Sequence, residues 1–279
     1  MIAELPMSVE PLIRVRDLQL SLPDMARKPL FGPAPRIEIL KGLSFDLPRG
    51  AITGIVGESG SGKTTAGRAL VRLLQPTGGS ITFKGQDITH LSETSLKPLR
   101  RDLQMIFQDP MSSLNPRHTI GRIIANPMER YGVPNARQRA LETLERVGLP
   151  ASFAGRFPHE LSGGQRQRVG IARAVALDPA FILADEIVSG LDVSSQAQVL
   201  TLLRQLAQDM NLTIAFISHD LSVIRNVCSQ VIVLNQGLIA EAGPCRQVFD
   251  APQSPITQTL IDAIPLPEID ESWFDTVKV

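Results

Sequence analysis

Gly57-Glu58-Ser59-Gly60-Ser61-Gly62-Lys63-Thr64-Thr65 is the stretch on which the fold turns. It satisfies G-x-x-x-x-G-K-[ST], and its flanks give that pattern mechanical sense. Ala51 to Val56, an apolar run behind the Pro48-Arg49-Gly50 turn, is expected to be a buried strand. Ala66 to Leu74 is expected to continue as a helix, with Ala69, Leu70, Leu73 and Leu74 on one face. In such a strand, loop and helix the glycines let backbone N–H groups curl around phosphate oxygens, and the helix N-terminus adds its partial positive charge. Lys63 then reaches the β and γ phosphates of a nucleotide, and Thr64 supplies a hydroxyl to Mg²⁺.

Outward from the loop, Leu12 to Leu22 alternates as an edge strand, Pro23 to Arg36 is a proline-rich loop or disordered insert, and Ile37 to Leu47 is a second strand with Leu43, Phe45 and Leu47 on one side. These form a small antiparallel layer ahead of the loop. Ser80 to Phe83 adds a strand, and Leu103 to Phe107 is an apolar strand ending at Gln108. From Asp109 the composition changes: Pro110, Pro116, Pro127 and Pro134 are expected to break the chain into loops and short helices. Helices are predicted over Arg137 to Val147, over Ser162 to Leu177 with Ser162 as N-cap, and over Val193 to Met210 with apolar positions 193, 197, 200, 203, 207 and 210. Phe181 to Ala184 and Leu212 to Ile217 read as buried strands, and Val231 to Leu234 with Leu238 to Ala240 as a hairpin. Strands alternating with helices place the phosphate loop on a mostly parallel sheet. Past Pro252 the chain reads as an appendage outside the core.

Composition narrows the function classes. With 279 residues the chain holds one large α/β domain with an insertion, or two small ones. Lys plus Arg and Asp plus Glu both count 28, which argues against a nucleic-acid stripe or a basic membrane patch. The two cysteines, Cys228 and Cys245, lack metal-type spacing and suit a reducing compartment. Met1 to Glu10 lacks the basic and apolar regions of a signal peptide, and no run approaches the ~20 apolar residues of a membrane span, so the expected place is the cytoplasm.

Three constellations carry chemistry. Asp185-Glu186 at the end of an apolar strand, beside a phosphate loop, is suited to hold Mg²⁺ through one carboxylate and to polarise a water through the other. Adjacent acids there also cap turns. His219 ends the next strand, where it reaches a γ phosphate or serves structure alone. Leu161-Ser162-Gly163-Gly164-Gln165 places a serine and free amides at a helix N-terminus, a second anion-binding end or an ordinary serine cap. Two such ends with one nucleotide loop invite a two-fold dimer in which each subunit completes the other's site.

Taken together and in order, Gly57 to Thr64, Gln108, Leu161 to Gln165, Phe181 to Glu186, Ser189 to Asp192 and His219 resemble the ATP-binding subunit of ABC transporters. Phe107 to Pro116, Asp192 to Gln198 and Ser254 to Pro265 are similar to the oligopeptide/dipeptide importer branch. The resemblance implies a P-loop NTPase: residues 12–108 and 178–250 as a RecA-like core with the antiparallel β layer, 109–177 as an inserted helical subdomain, and 251–279 as a C-terminal extension. It implies ATP and Mg²⁺, with Gly57, Glu58, Ser59, Gly60, Ser61, Gly62, Lys63, Thr64 and Thr65 around the phosphates and Thr64, Gln108 and Asp185 near the metal. Glu186 is implied as general base, His219 on the γ phosphate, Gln108 as sensor of Mg²⁺ and membrane contacts, and Ser162, Gly163, Gly164, Gln165 and Asp192 across the dimer.

The implied partners are a second ATPase subunit, two transmembrane permease subunits and, indirectly, a solute-binding protein, at the cytoplasmic face of the inner (cell) membrane. The implied work is uptake of a peptide or similar small polar solute, against two rivals: an ATPase acting on nucleic acid or ribosomes, and a non-hydrolysing clamp. Ile187 stands where the family usually has proline and Gly190 where it has alanine, which points to a more mobile loop at the dimer seam. No aromatic residue for adenine is evident near Leu20 to Pro23, Phe31 being a weak substitute, and the C-terminal extension lacks the cysteine cluster of some relatives. Met111, Leu114, Ile120, Ile123 and Ile124, just after Gln108, are expected to line a docking groove for the permease or to form the subdomain's own core.

Overall fold

A computed structural model describes residues 10–29 and 32–263. The chain opens with β1 (Ile13–Pro23) and β2 (Arg36–Leu47), then β3 (Ile52–Gly57), α1 (Lys63–Leu70), β4 (Gly78–Phe83), β5 (Gln86–Asp87), the short α2 (Glu93–Leu96) and β6 (Leu103–Ile106). A run of helices follows: α3 (Pro110–Ser113), α4 (Ile120–Arg130), α5 (Ala136–Arg146) and α6 (Gly163–Val175). The alternation then resumes with β7 (Phe181–Asp185), α7 (Val193–Asp209), β8 (Thr213–Ile217), α8 (Leu221–Val227), β9 (Gln230–Asn235), β10 (Leu238–Pro244), α9 (Cys245–Asp250) and α10 (Pro255–Asp262).

Two sheets result. One has four strands in the order β2-β1-β4-β5 with antiparallel pairing, and the other has six in the order β10-β9-β3-β8-β7-β6. In the second, β3, β6, β7, β8 and β9 run parallel, and only β10 returns antiparallel, through a turn whose Gln236 and Gly237 both have positive φ. The expected mostly parallel core sheet and antiparallel layer are therefore present. Strands β7 and β8 are buried on both faces. Ile182, Ala184, Ile214 and Phe216 point into one apolar cluster, shared with α4, α5 and α6. Phe181, Leu183, Ala215 and Ile217 point into another, shared with α1 and the antiparallel sheet.

Several expectations need correction. Strand β1 is not an edge: it pairs with β2 on one side and β4 on the other, Val15 lying opposite both Phe45 and Ile81. Alternation reports one buried face and is silent about the number of neighbours. Helix α1 stops at Leu70, because Arg72 takes a φ of 54° and buries its guanidinium against the carbonyls of Ile88 and Leu91, so Leu73 is exposed. Pro127 does not break its segment but lies inside α4. An interior proline costs about 3 kcal/mol. Burial of Ile120, Ile123, Ile124 and Met128 along the helix, at about 1.5–3 kcal/mol each, outweighs it.

The same packing sorts the apolar residues after Gln108. Leu114, Ile120, Ile123 and Ile124 belong to the interior, and only Met111, 44 % exposed, is free to meet a partner. Val193, expected on the inner face of its helix, is 84 % exposed at the first position of α7, whose buried residues begin at Val199. Beyond Pro252 the chain is not a mere appendage: Thr257 on α10 is buried, and Leu260 and Ile261 pack on the core. Phe31 and the prolines 265 and 267 lie outside the described residues. Among the described residues no helix is long and apolar enough to cross a membrane.

Candidate functional site

The phosphate loop leaves the middle of the parallel sheet. Strand β3 is paired with β8 on one side and with β9 on the other as far as Gly57. At Gly57 the backbone turns with φ 143°, and a Cβ there would sit 2.1 Å from the Leu234 carbonyl oxygen, so only glycine lets the loop lie this close to β9. Gly62, in the left-handed region, is the N-cap of α1 and offers no side-chain acceptor to the helix's first amides. Those amides suit an anion. Lys63 is buried and donates to the carbonyls of Gly57, at 2.8 Å, and Glu58, at 2.7 Å. Burial pulls its ammonium below the ordinary lysine value, while the carboxylates of Glu186 and Asp185 work against that shift.

Three further strands deliver groups to the same rim of the sheet. Strand β7 ends on Asp185, which is buried and whose Oδ1 accepts from the Thr64 hydroxyl at 3.3 Å. Burial raises the Asp185 carboxyl above the usual aspartate value, and Arg68 and the Thr64 hydroxyl offset part of this. A hydroxyl and an under-solvated carboxylate on two rigid elements form an oxygen donor set of the kind Mg²⁺ takes. Glu186 follows with a φ of 48°, its N–H donating to the Ile217 carbonyl and its own carbonyl accepting from the Ser189 hydroxyl. That kink brings its carboxylate to Gln108, just past β6, whose Nε2 donates to Glu186 Oε2 at 2.8 Å. His219, just past β8, places Nδ1 3.8 Å from Glu186 Oε1. Lys63, Thr64, Gln108, Asp185, Glu186 and His219 thus converge from four separate segments at the carboxyl ends of parallel strands, where open α/β sheets place their ligands.

The second group of expected residues stands apart. Ser162 caps α6 in a reciprocal arrangement: its hydroxyl accepts from the Gln165 N–H at 3.3 Å, and Gln165 Oε1 accepts from the Ser162 N–H at 3.0 Å. Among the described residues, neither Ser162 nor Gln165 hydrogen-bonds to the phosphate loop. Gly163 and Gly164 lie instead beside Leu191 and Ser195. Asp192 is the N-cap of α7, both its carboxylate oxygens accepting from Ser195. Ile187 and Val188 are buried, so the turn that follows Glu186 is anchored in the core at the position where proline was the expected residue.

Two contributors escaped the sequence reading. Arg68, one helical turn after Thr64, offsets part of the rise that burial imposes on the Asp185 carboxyl, and the i,i+4 spacing from Thr64 was the available signal. Asp220 caps α8 by accepting from the N–H groups of Ser222 and Val223, while Ser218 accepts from the Asp220 N–H. His219 sits between these two turn-forming residues. The Ser-x-Asp pattern at a strand end could have announced that turn.

The family model described as "ABC transporter" matches residues 40–189. The oligopeptide transport ATP-binding protein AppF of Bacillus subtilis is 48 % identical over 262 residues, spanning 92 % of this chain and 79 % of that protein. The glutathione import ATP-binding protein GsiA of Escherichia coli is 48 % identical over 263 residues, 93 % of this chain and 42 % of that protein. Among solved structures, a dimeric ATP-binding cassette in a post-hydrolysis state with ADP and Pi superposes with a TM-score of 0.72 at 28 % identity, covering 84 % of this chain and 99 % of the other.

Proposed function

Since this chain belongs to the ABC transporter family as an ATP-hydrolysing subunit, we propose that it drives import of short peptides or similar small polar solutes through two permease subunits. It does so with Mg²⁺ at Thr64 and Asp185, peripherally at the cytoplasmic face of the cell membrane. The observation that carries the chemistry is the Gln108–Glu186–His219 group set beside Thr64, Asp185 and Lys63. Lys63 transfers its hydrogen bonds from the loop carbonyls to phosphate oxygens, and the residues Gly57 to Thr65 supply backbone amides to the same oxygens. Glu186 takes the proton of the attacking water, His219 contacts the γ phosphate, and Gln108, bonded to Glu186, makes hydrolysis sensitive to the membrane partner. Mg²⁺ would neutralise charge developing between the β and γ phosphates.

A second ATPase subunit belongs to the proposal, because Ser162 to Gln165 and Asp192 lie outside the cluster and have chemistry to offer across a two-fold axis. The dimeric state of the solved cassette supports that reading. We take residues 12–108 with 178–250 as the ATPase core, 109–177 as the helical subdomain and 251–279 as the extension. The solute-binding protein acts through the permease alone, and nucleic acid has no part in the cycle. Between β6 and α4 lies an open cleft of about 710 Å³, with Phe107, His118, Asn126 and Arg173 in its walls; Met111, four residues after Phe107, is exposed. We place the permease contact there.

Uptake of a labelled tripeptide by cells lacking this gene tests the reading. The wild-type chain is expected to restore uptake and Lys63→Ala to fail. Phe107→Glu and Met111→Glu are expected to hydrolyse ATP as purified proteins yet not restore uptake. Undiminished tripeptide uptake in the deletion strain would remove the solute assignment, and full restoration by both glutamate variants would move the docking surface elsewhere.

A further inference from the structure

We infer that α10, in the C-terminal extension, is the positioning element of His219. Four observations converge. Leu260 and Ile261 of α10 line, with Val56, Leu221 and Phe249, a small gap of about 10 Å³. Leu221 is the first residue of α8 and stands two positions after His219. The chain enters α10 under control, since the Glu241 carboxylate accepts from the N–H groups of Gln253 and Ser254, both at 3.0 Å. Helix α8 is pinned to its other neighbour α9 by the Arg225–Asp250 ion pair, 2.9 Å long.

The two catalytic segments that α10 approaches differ in how much they need it. Val56 and the phosphate loop after it are fixed by pairing of β3 with strands on both sides. His219 has no such frame. Its side chain is 67 % exposed and, among the described residues, no hydrogen bond ends on its ring, so its position follows from the Ser218–Asp220 turn and the seat of Leu221. Thr257 lines the same gap, buried and with its hydroxyl unpartnered, and the other residues lining it are apolar. Among the described residues no hydrogen bond joins α10 to α8, so α10 acts on Leu221 through packing around this gap, and loosening α10 releases His219 before it disturbs the phosphate loop.

This inference rests on the reading of His219 as the γ-phosphate contact, and the test separates the two. Steady-state ATPase activity and nucleotide affinity are measured on the full chain carrying Leu260→Ala, the milder Ile261→Val, His219→Ala, and Leu260→Ala with His219→Ala. The expected result is that Leu260→Ala lowers kcat about tenfold, Ile261→Val lowers it about twofold, and neither changes KM for ATP. In the His219→Ala background Leu260→Ala is expected to have no further effect on kcat, as non-additivity requires of residues acting through one another. Thr257→Val, which removes the unpartnered hydroxyl at constant shape, is expected to raise Tm and leave kcat unchanged. Full activity of Leu260→Ala, or an equal fall in both backgrounds, overturns the inference and leaves His219 in place. An unaltered kcat for His219→Ala overturns the His219 reading and the inference with it.

Discussion

Glu186→Gln isolates the proton-transfer step, because the amide keeps the shape of the carboxylate and most of its contacts. The Glu186 backbone, with its N–H on Ile217 and its carbonyl under Ser189, is untouched. The side-chain oxygen can still accept from Gln108, whose donor lies 2.8 Å away. What is lost is the basic lone pair and one negative charge beside Lys63. A positioned general base contributes roughly 10²- to 10⁴-fold, so turnover should fall at least about a hundredfold, which corresponds to about 2.7 kcal/mol of barrier. Nucleotide affinity should hold or tighten, since a carboxylate that repels phosphate oxygens has become neutral. Phosphate release at saturating ATP and titration with a fluorescent nucleotide measure the two quantities separately. Turnover above a tenth of wild type, with nucleotide still bound, would refute the assignment of the base to Glu186.

Ser162→Arg removes a reciprocal cap worth about 1 kcal/mol, so Tm should drop by roughly 2–4 °C. Turnover should vanish with nucleotide affinity of the monomer intact, and a parallel loss of that affinity would refute the across-dimer role. Asp185→Asn should raise Tm of the nucleotide-free chain at pH 7 while abolishing Mg²⁺-dependent hydrolysis. The sign follows from linkage: burial raises this carboxyl in the folded state, so folding favours its protonated form and the ionised form at neutral pH opposes it. The gain should shrink as pH falls through the carboxylate range, and thermal melts across that range check it. Finally, GTP should compete with ATP within about one order of magnitude, or about 1.4 kcal/mol, because the side chains beside Gly62 are the aliphatic Ile39 and Leu40. A steep ATP preference in competition binding would require an aromatic partner for the base.

What could be read from the chain without coordinates divides along physical lines. The phosphate loop was legible because its glycines and the Lys-Thr pair answer one demand, close approach of backbone to anions. Strands such as Phe181 to Ala184 were legible because a run buried on both faces admits almost no polar residue. The position of β1 inside its sheet was not, since pairing on the second side adds no mark to the sequence. Helix α4 was obscured by Pro127, whose local penalty is visible while the packing that overrides it is long-range. At the site, the acids could be found but not the Gln108–Glu186 bond, which joins residues 78 positions apart. Nor could spacing show that Asp192 also caps α7, its oxygens accepting from Ser195 three residues along the chain.

The alternation of β7 between two apolar clusters has a bearing on how its acids can evolve. Odd-numbered residues of the strand point toward the side that carries α1, and the last of them, Asp185, meets Thr64 there. The next residue turns the other way and meets Gln108. The division of labour between two chemically similar side chains is thus set by the strand's parity at Asp185 and by the positive-φ kink at Glu186. Inserting one residue between Phe181 and Ala184 would carry Ala184 into the place of Asp185 and Asp185 into that of Glu186, and would turn the strand's buried side chains over at once. Change in this segment is therefore confined to substitution, and length variation is pushed into the turns on either side.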